Sequence, residues 1–179
     1  MTIFLIIISV LLWIGAFAAL PKRILLAPAL SYCAMAVISW AKTAEGYDLF
    51  PLTNSFLFSW MAITLVVMII ITLQNVDIRQ QSRGIWYMAI GGIAGMLVGL
   101  ACLSITSVMT LAYALMIIGA AIGIIIGFLL FNNTPAGTMV RPGSGHFFRY
   151  LLAKGFPTLI TIAQLGIILV IITYRATLS

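Results

Sequence analysis

Residues Ile85–Phe131 read IWYMAIGGIAGMLVGLACLSITSVMTLAYALMIIGAAIGIIIGFLLF and carry no charged side chain. The short link Ile105-Thr106-Ser107 divides them into two apolar runs, Ile85–Ser104 and Val108–Phe131. A helix needs about 20 apolar residues to cross roughly 30 Å of hydrocarbon, and each run has that length. In lipid every backbone N–H and C=O must be satisfied inside the structure, which a helix achieves within itself. The stretch therefore predicts two antiparallel transmembrane helices, joined by a link too short to leave the bilayer far behind.

The same texture continues outward in both directions. Further apolar runs cover residues 2–20, 24–40, 55–73 and 157–174, which with 85–104 and 108–131 makes six. Of 179 residues 64% are hydrophobic and 7% charged, where a soluble domain carries about 25% charged residues. The predicted fold is all-α: a polytopic integral membrane protein built as a bundle of six transmembrane helices, one transmembrane domain over residues 1–179. The first run has no basic stretch before it, and Lys22 and Arg23 follow it instead. It reads as a retained helix rather than a signal peptide.

The loops carry the remaining signals. Ala41–Asn54 holds two of the three acids, Glu45 and Asp48, and Asn54 or Ser55 is a candidate cap for the third helix. Gln74–Gly84 is the most polar stretch, with Asp77, Arg79 and Arg83. Asn132–Gly145 is rich in Gly, Pro and Asn, which punctuate helices. Its Asn132-Asn133-Thr134 matches a glycosylation acceptor, but Pro135 follows and the predicted side is cytoplasmic. Residues 146–156 place Phe147, Phe148, Leu151 and Leu152 on one side of a helix, with Arg149 opposite and Lys154 at the edge. They predict a short interfacial helix with a snorkelling lysine. Pro157 then suits the first turn of the last span.

The net charge of +6 is nine Lys and Arg against three acids. These bases are spread singly over loops, so they predict orientation in the bilayer and not nucleic-acid binding. Lys22, Arg23, Arg79, Arg83, Arg141, Arg149 and Lys154 follow the first, third and fifth spans, whereas only Lys42 follows the second and fourth. The rule that cytoplasmic loops are positive places the first set inside. The expectation is a bacterial inner membrane, with both termini on the periplasmic side. Trp40, Tyr47 and Tyr174 then mark the outer boundary, and Trp86, Tyr87 and Tyr150 the inner one.

The sharpest pattern is a pair of glycine stripes, each a doubled GxxxG. Gly91, Gly95 and Gly99 lie on the fourth span, and Gly119, Gly123 and Gly127 on the fifth. Residues four apart share a helix face, and small residues let helix backbones approach closely in lipid. Folding the hairpin near Thr106 sets Gly95 against Met116 and Gly99 against Ala112, so the stripes overlap only near Gly91 and Gly119. That register predicts that part of one stripe packs on another helix, a second copy or another membrane subunit. Internal packing, a partner interface and a cavity lining all remain open.

Gln164 is the other candidate. Its amide has four hydrogen-bonding sites and falls midway through an apolar span, so it must face protein or water. With Tyr113 it is a possible ligand contact. Ser31, Tyr32, Ser39, Thr64, Thr110 and Thr161 are also polar, but Ser and Thr can bond to their own helix carbonyls.

No ionisable residue lies near the middle of any span, which argues against a lone proton-coupled pump. His146 is the one histidine, so a bis-histidine haem within the chain is excluded and a zinc site lacks ligands. Cys33 and Cys102 sit in apolar runs and read as packed side chains. No catalytic, metal or cofactor-binding residues are assigned. The expectation is a non-enzymatic subunit or accessory factor of a larger membrane complex, held in the lipid bilayer by its spans and associating with other subunits or with itself. The alternative is a small oligomeric transporter or channel for a neutral or amphipathic ligand.

Overall fold

The computed structural model describes residues 2–42, 46–50, 52–73, 84–101, 109–140 and 145–178. Glu45, Asp77, Arg79, Arg83, Cys102, Arg141, Ser144 and the link Ile105–Ser107 lie outside them, as does the side chain of Tyr174. The described residues are almost wholly helical: α1 (Thr2–Lys22), α2 (Leu26–Ser39), α3 (Asn54–Leu73), α4 (Ile85–Ala101), α5 (Met109–Asn132), a 3₁₀ turn (Pro135–Val140), α6 (Phe147–Tyr150), a π-helical turn (Leu151–Gly155) and α7 (Phe156–Leu178).

Four stretches are long and apolar enough to cross a membrane: Thr2–Lys22, Asn54–Leu73, Leu111–Asn132 and Phe147–Thr173. Over the described residues the other two helices are shorter. α2 has 14 residues and α4 has 17, which at 1.5 Å per residue is about 21 and 26 Å, against roughly 30 Å of hydrocarbon. α2 stops early because the chain folds back at once: the Leu49 N–H donates to the Ala41 carbonyl at 2.8 Å, the backbones of Lys42 and Asp48 pair as an isolated antiparallel β-bridge, and Gly46 takes a positive φ of 87° in the turn. The Thr2 hydroxyl donates to the Lys42 carbonyl at 2.6 Å and ties the start of α1 to this loop.

α1 and α2 form a tight antiparallel hairpin. Pro21 lies in the last turn of α1, where it removes one ladder bond close to the helix end, and the Arg23 N–H closes that turn on the Ala19 carbonyl at 2.7 Å. The buried Ser9 hydroxyl crosses to the Ala34 carbonyl at 2.9 Å. α3 is capped by Thr53, whose hydroxyl accepts the Phe56 N–H at 3.3 Å. The cap is therefore one residue before the Asn54 or Ser55 that the sequence offered. α3 buries one narrow stripe, Trp60, Thr64, Val67 and Ile71, whose four-three-four spacing follows a single helix face.

The α4–α5 hairpin is the tightest contact in the molecule, and its register corrects the sequence expectation. A Cβ at Gly95 would strike the Gly119 carbonyl, one at Gly91 the Gly123 carbonyl, and one at Gly127 the Tyr87 carbonyl. A Cβ at Gly99 would lie 2.5 Å from the Leu115 carbonyl oxygen. All six glycines line one seam, backbone on backbone. The pairing sits three positions from the predicted one, with Gly119 rather than Met116 opposite Gly95, so the two stripes do zip together and neither turns to another helix. Gly84 seals the open end: its φ is +90°, and a Cβ there would lie 2.6 Å from the Phe131 ring.

α7 is the centre of the bundle and touches α1, α2, α3, α4 and α5. Of its apolar stretch 72% is buried, against 22% for α1 and 17% for α3. Polarity explains this. Thr158, Thr161 and Gln164 lie on α7 and are buried; the threonines bond back to the Lys154 and Pro157 carbonyls at 2.7 and 2.9 Å. Gln164 cannot satisfy itself in that way, so the helix that carries it goes inside.

The predicted interfacial helix is instead continuous with α7 through the π-helical turn. Pro157 lies inside this long helix, and there its ring crowds the carbonyl of residue 153 and removes one ladder bond. A π turn just before it shifts the carbonyl register and relieves both. Lys154 is buried in that turn and does not snorkel. Tyr150 is buried too, stacked on Phe128 at 5.5 Å and Phe131 at 6.3 Å, and so is not an interfacial aromatic. Trp40, Tyr47, Trp86 and Tyr87 are exposed.

The seam makes a direct prediction. Gly95→Ala and Gly123→Ala each add a methyl against backbone that cannot move aside, and should cost about 1–3 kcal/mol by overpacking, despite the better helix propensity of alanine. Gly145→Ala, with open space around it, should be neutral. Thermal unfolding in mild detergent reads all three, and seam variants that melt with or above the wild type would contradict the packing.

Candidate functional site

Among the described residues, the buried polar constellation that joins several helices is built around Gln164. α7 brings the amide to the centre of the bundle, where it is fully buried. Its Nε2 donates to Thr64 Oγ1 on α3 at 2.9 Å. Its Oε1 accepts from Ser31 Oγ on α2. The Thr64 hydroxyl proton goes to the Trp60 carbonyl at 2.7 Å, so Thr64 can only accept from Gln164, and this fixes which amide atom faces it. The Ser31 hydroxyl also lies 3.0 Å from the Pro28 carbonyl; its single proton serves that oxygen or the glutamine.

Three helices distant in sequence are thus pinned at one depth by two hydrogen bonds. Each interhelical bond of this kind is worth about 1 kcal/mol in a membrane. The value to the fold is positional: α3 has little other burial, and Thr64 is on its only inward stripe.

Tyr113, the other proposed ligand contact, is not part of this node. It is half-buried and packs its ring 6.5 Å from Phe56. Phe56 and Thr64 are eight positions apart on α3, about 12 Å along the axis. The structure leaves Gln164 and Tyr113 in different layers, and the Gln164 amide is engaged by protein rather than turned to a cavity. Ser31 and Thr64 are the residues that sequence reasoning set aside as self-satisfied. Both do bond their own helices, and the only signal for their second role was their depth, near the middle of their spans like Gln164.

The second polar feature lies at the far end of α5. Asn132 is buried, and neither atom of its amide has a hydrogen-bond partner. The 3₁₀ turn folds back over it, with Gly137 so close that a Cβ would lie 2.8 Å from the Asn132 Cα. Burial keeps Asn132 from serving as a glycosylation acceptor. Cys33 is a free thiol on the exposed face of α2, not a packed one. His146 is exposed and precedes α6, giving its carbonyl to the Tyr150 N–H at 2.9 Å. Among the described residues no three His, Cys, Asp or Glu side chains gather as a metal site.

Comparison with known proteins gives no match: no family model, curated protein or solved structure aligns with this chain.

Two substitutions test the node and the orphan amide. Gln164→Leu leaves Ser31 and Thr64 with their own helix carbonyls, so stability should fall by only about 1–2 kcal/mol, while a cysteine placed at buried Val67 should become more reactive to a thiol reagent as α3 loosens. Asn132→Leu removes an unsatisfied amide that costs about 1–3 kcal/mol and should raise the melting temperature. An unchanged Val67→Cys labelling rate, or a destabilised Asn132→Leu, would contradict these assignments.

Proposed function

We propose that this chain is a non-catalytic, multi-pass subunit or accessory factor of a larger membrane assembly. In this reading it crosses the bilayer six times. α2 and α4 cross as the shorter partners of α1 and α5, and an even number of crossings puts both termini on one side. The distribution of Lys and Arg makes that side the outer one, periplasmic in a bacterial inner membrane.

The observation that carries this reading is where the exposed apolar surface lies. The six glycines and the Gln164 amide are engaged within the chain, so they are not partner contacts. Exposed apolar surface rings the bundle: Ile3, Phe4, Ile7, Leu11 and Ile14 on α1, Phe58, Leu65, Val66, Ile69 and Leu73 on α3, Ile90, Leu97 and Val98 on α4, and Ile118, Ile122 and Ile126 on α5. α3 is held along one stripe and leaves the rest of its surface to lipid or to other subunits. We place the partner contacts on α3, the least buried of the four long apolar stretches at 17%. The absence of ionisable residues near mid-span in the sequence supports a packing role over proton-coupled transport.

Native mass measurement after mild-detergent extraction from the source membrane tests the proposal. The expected result is a species heavier than one chain that falls to the monomer when Leu65 and Ile69 are both replaced by Trp, with the melting temperature kept. If instead the purified protein alone moves a solute across liposomes, and Gln164→Leu abolishes that movement, the transporter alternative holds and the accessory role is lost.

A further inference from the structure

α5 and the chain leading into α7 enclose an apolar groove of about 190 Å³. Its floor is Ile124 and Gly155, both buried, and its rims are Ile125 and Leu152, both roughly half exposed. The groove therefore opens sideways, away from the core. The π-helical turn is part of its making. Gly155, the last residue of that turn, offers no side chain, and a Cβ there would press on Leu151 Cδ1 at 2.8 Å.

We propose that this groove holds one acyl chain of an anionic phospholipid, whose phosphate is met by the Arg149 guanidinium. Three observations converge on that occupant. The lining is Ala, Ile, Leu, Phe and Gly; such a hollow repels water, although its volume equals about six waters at ~30 Å³ each. A dry hollow that opens sideways into a bilayer is filled by hydrocarbon.

The depth fits a single leaflet. Leu152 and Leu159 follow Arg149 by three and ten positions, about 4 and 15 Å along the helix, and half of the hydrocarbon thickness is about 15 Å. The groove thus spans one leaflet, with Arg149 at the headgroup end.

The charge selects the headgroup. Arg149 is exposed and precedes Leu152 by three positions, which makes the two neighbours on the helix surface rather than opposites as the wheel over 146–156 suggests, and His146, also exposed, stands a turn further out. No Asp or Glu occurs anywhere from Gly84 to the end of the chain, so α4, α5 and α7 present no carboxylate to compete for the guanidinium. A guanidinium matches phosphate oxygens two at a time. This inference rests on residence in a bilayer and not on the accessory role.

The full chain, purified in mild detergent, is mixed with dioleoyl phosphatidylglycerol or dioleoyl phosphatidylcholine and examined by native mass spectrometry. Wild type should retain one phosphatidylglycerol about five-fold more than phosphatidylcholine, the ratio that one arginine gives at an anionic surface. Arg149→Gln should bring the ratio close to one. Ala121→Phe, which fills the groove, should lower retention of both lipids; Leu159→Phe fills it from the opposite wall and replaces Ala121→Phe if that variant does not melt like wild type. Equal retention of the two lipids by wild type, an unchanged preference in Arg149→Gln, or unchanged retention in the filled variants would overturn the proposal. So would a bound second protein chain that the filled variants lose, since the groove would then seat a protein.

Discussion

Direct backbone contact between α4 and α5 is the constraint on which the rest of the bundle depends. In water, helices associate because apolar side chains leave solvent. In lipid that force is absent between helices, and packing density must supply it. Side chains keep helix axes about 8–10 Å apart. Six glycines remove that spacer, so carbonyls and Cα atoms of one helix touch those of the other. The resulting hairpin is a rigid platform, and α7 is laid on it through two further small residues. Gly92 admits the Ile162 side chain, and Gly166 admits the thioethers of Met116 and Met96. Methionine suits this place because its flexible, polarizable chain fills irregular gaps.

Polarity then decides which helix is central. α7 carries Gln164, a mid-span amide that can neither ionise nor satisfy itself locally, and placing it inside gives it Ser31 and Thr64. That choice recruits α2 and α3, and with α2 comes α1 as its hairpin partner. The order of dependence runs from the glycine seam to α7, and from α7 through one amide to the outer helices. α3 is last and most loosely held, buried along one stripe only.

Much of this was legible in the sequence, and the misses have physical causes. Helix positions followed from apolar runs, because in lipid the run is the helix. The glycine stripes were visible as a four-residue period. Their partner was not, because the register of a hairpin is set by how many residues each helix keeps before the turn. An error of three positions moves Gly95 from glycine to methionine. Gln164 stood out as a mid-span amide, but its partners are 133 and 100 positions away, and a single sequence carries no signal linking them. Lys154 and Tyr150 were assigned to the interface by residue type. Both are buried in the structure, Tyr150 beside and Lys154 within the π turn that precedes Pro157, a turn that no wheel of 3.6 residues per turn anticipates.

The most direct test of the central claim measures the seam in a bilayer. Spin labels on Ile90 and Ile126, exposed residues flanking the seam on α4 and α5, are placed in one chain, reconstituted in nanodiscs and examined by pulsed electron resonance. The account predicts a short, narrow distance distribution that survives tenfold dilution with unlabelled protein. A broad or long distribution, or a short one that disappears on dilution because the stripe pairs two copies, would contradict it.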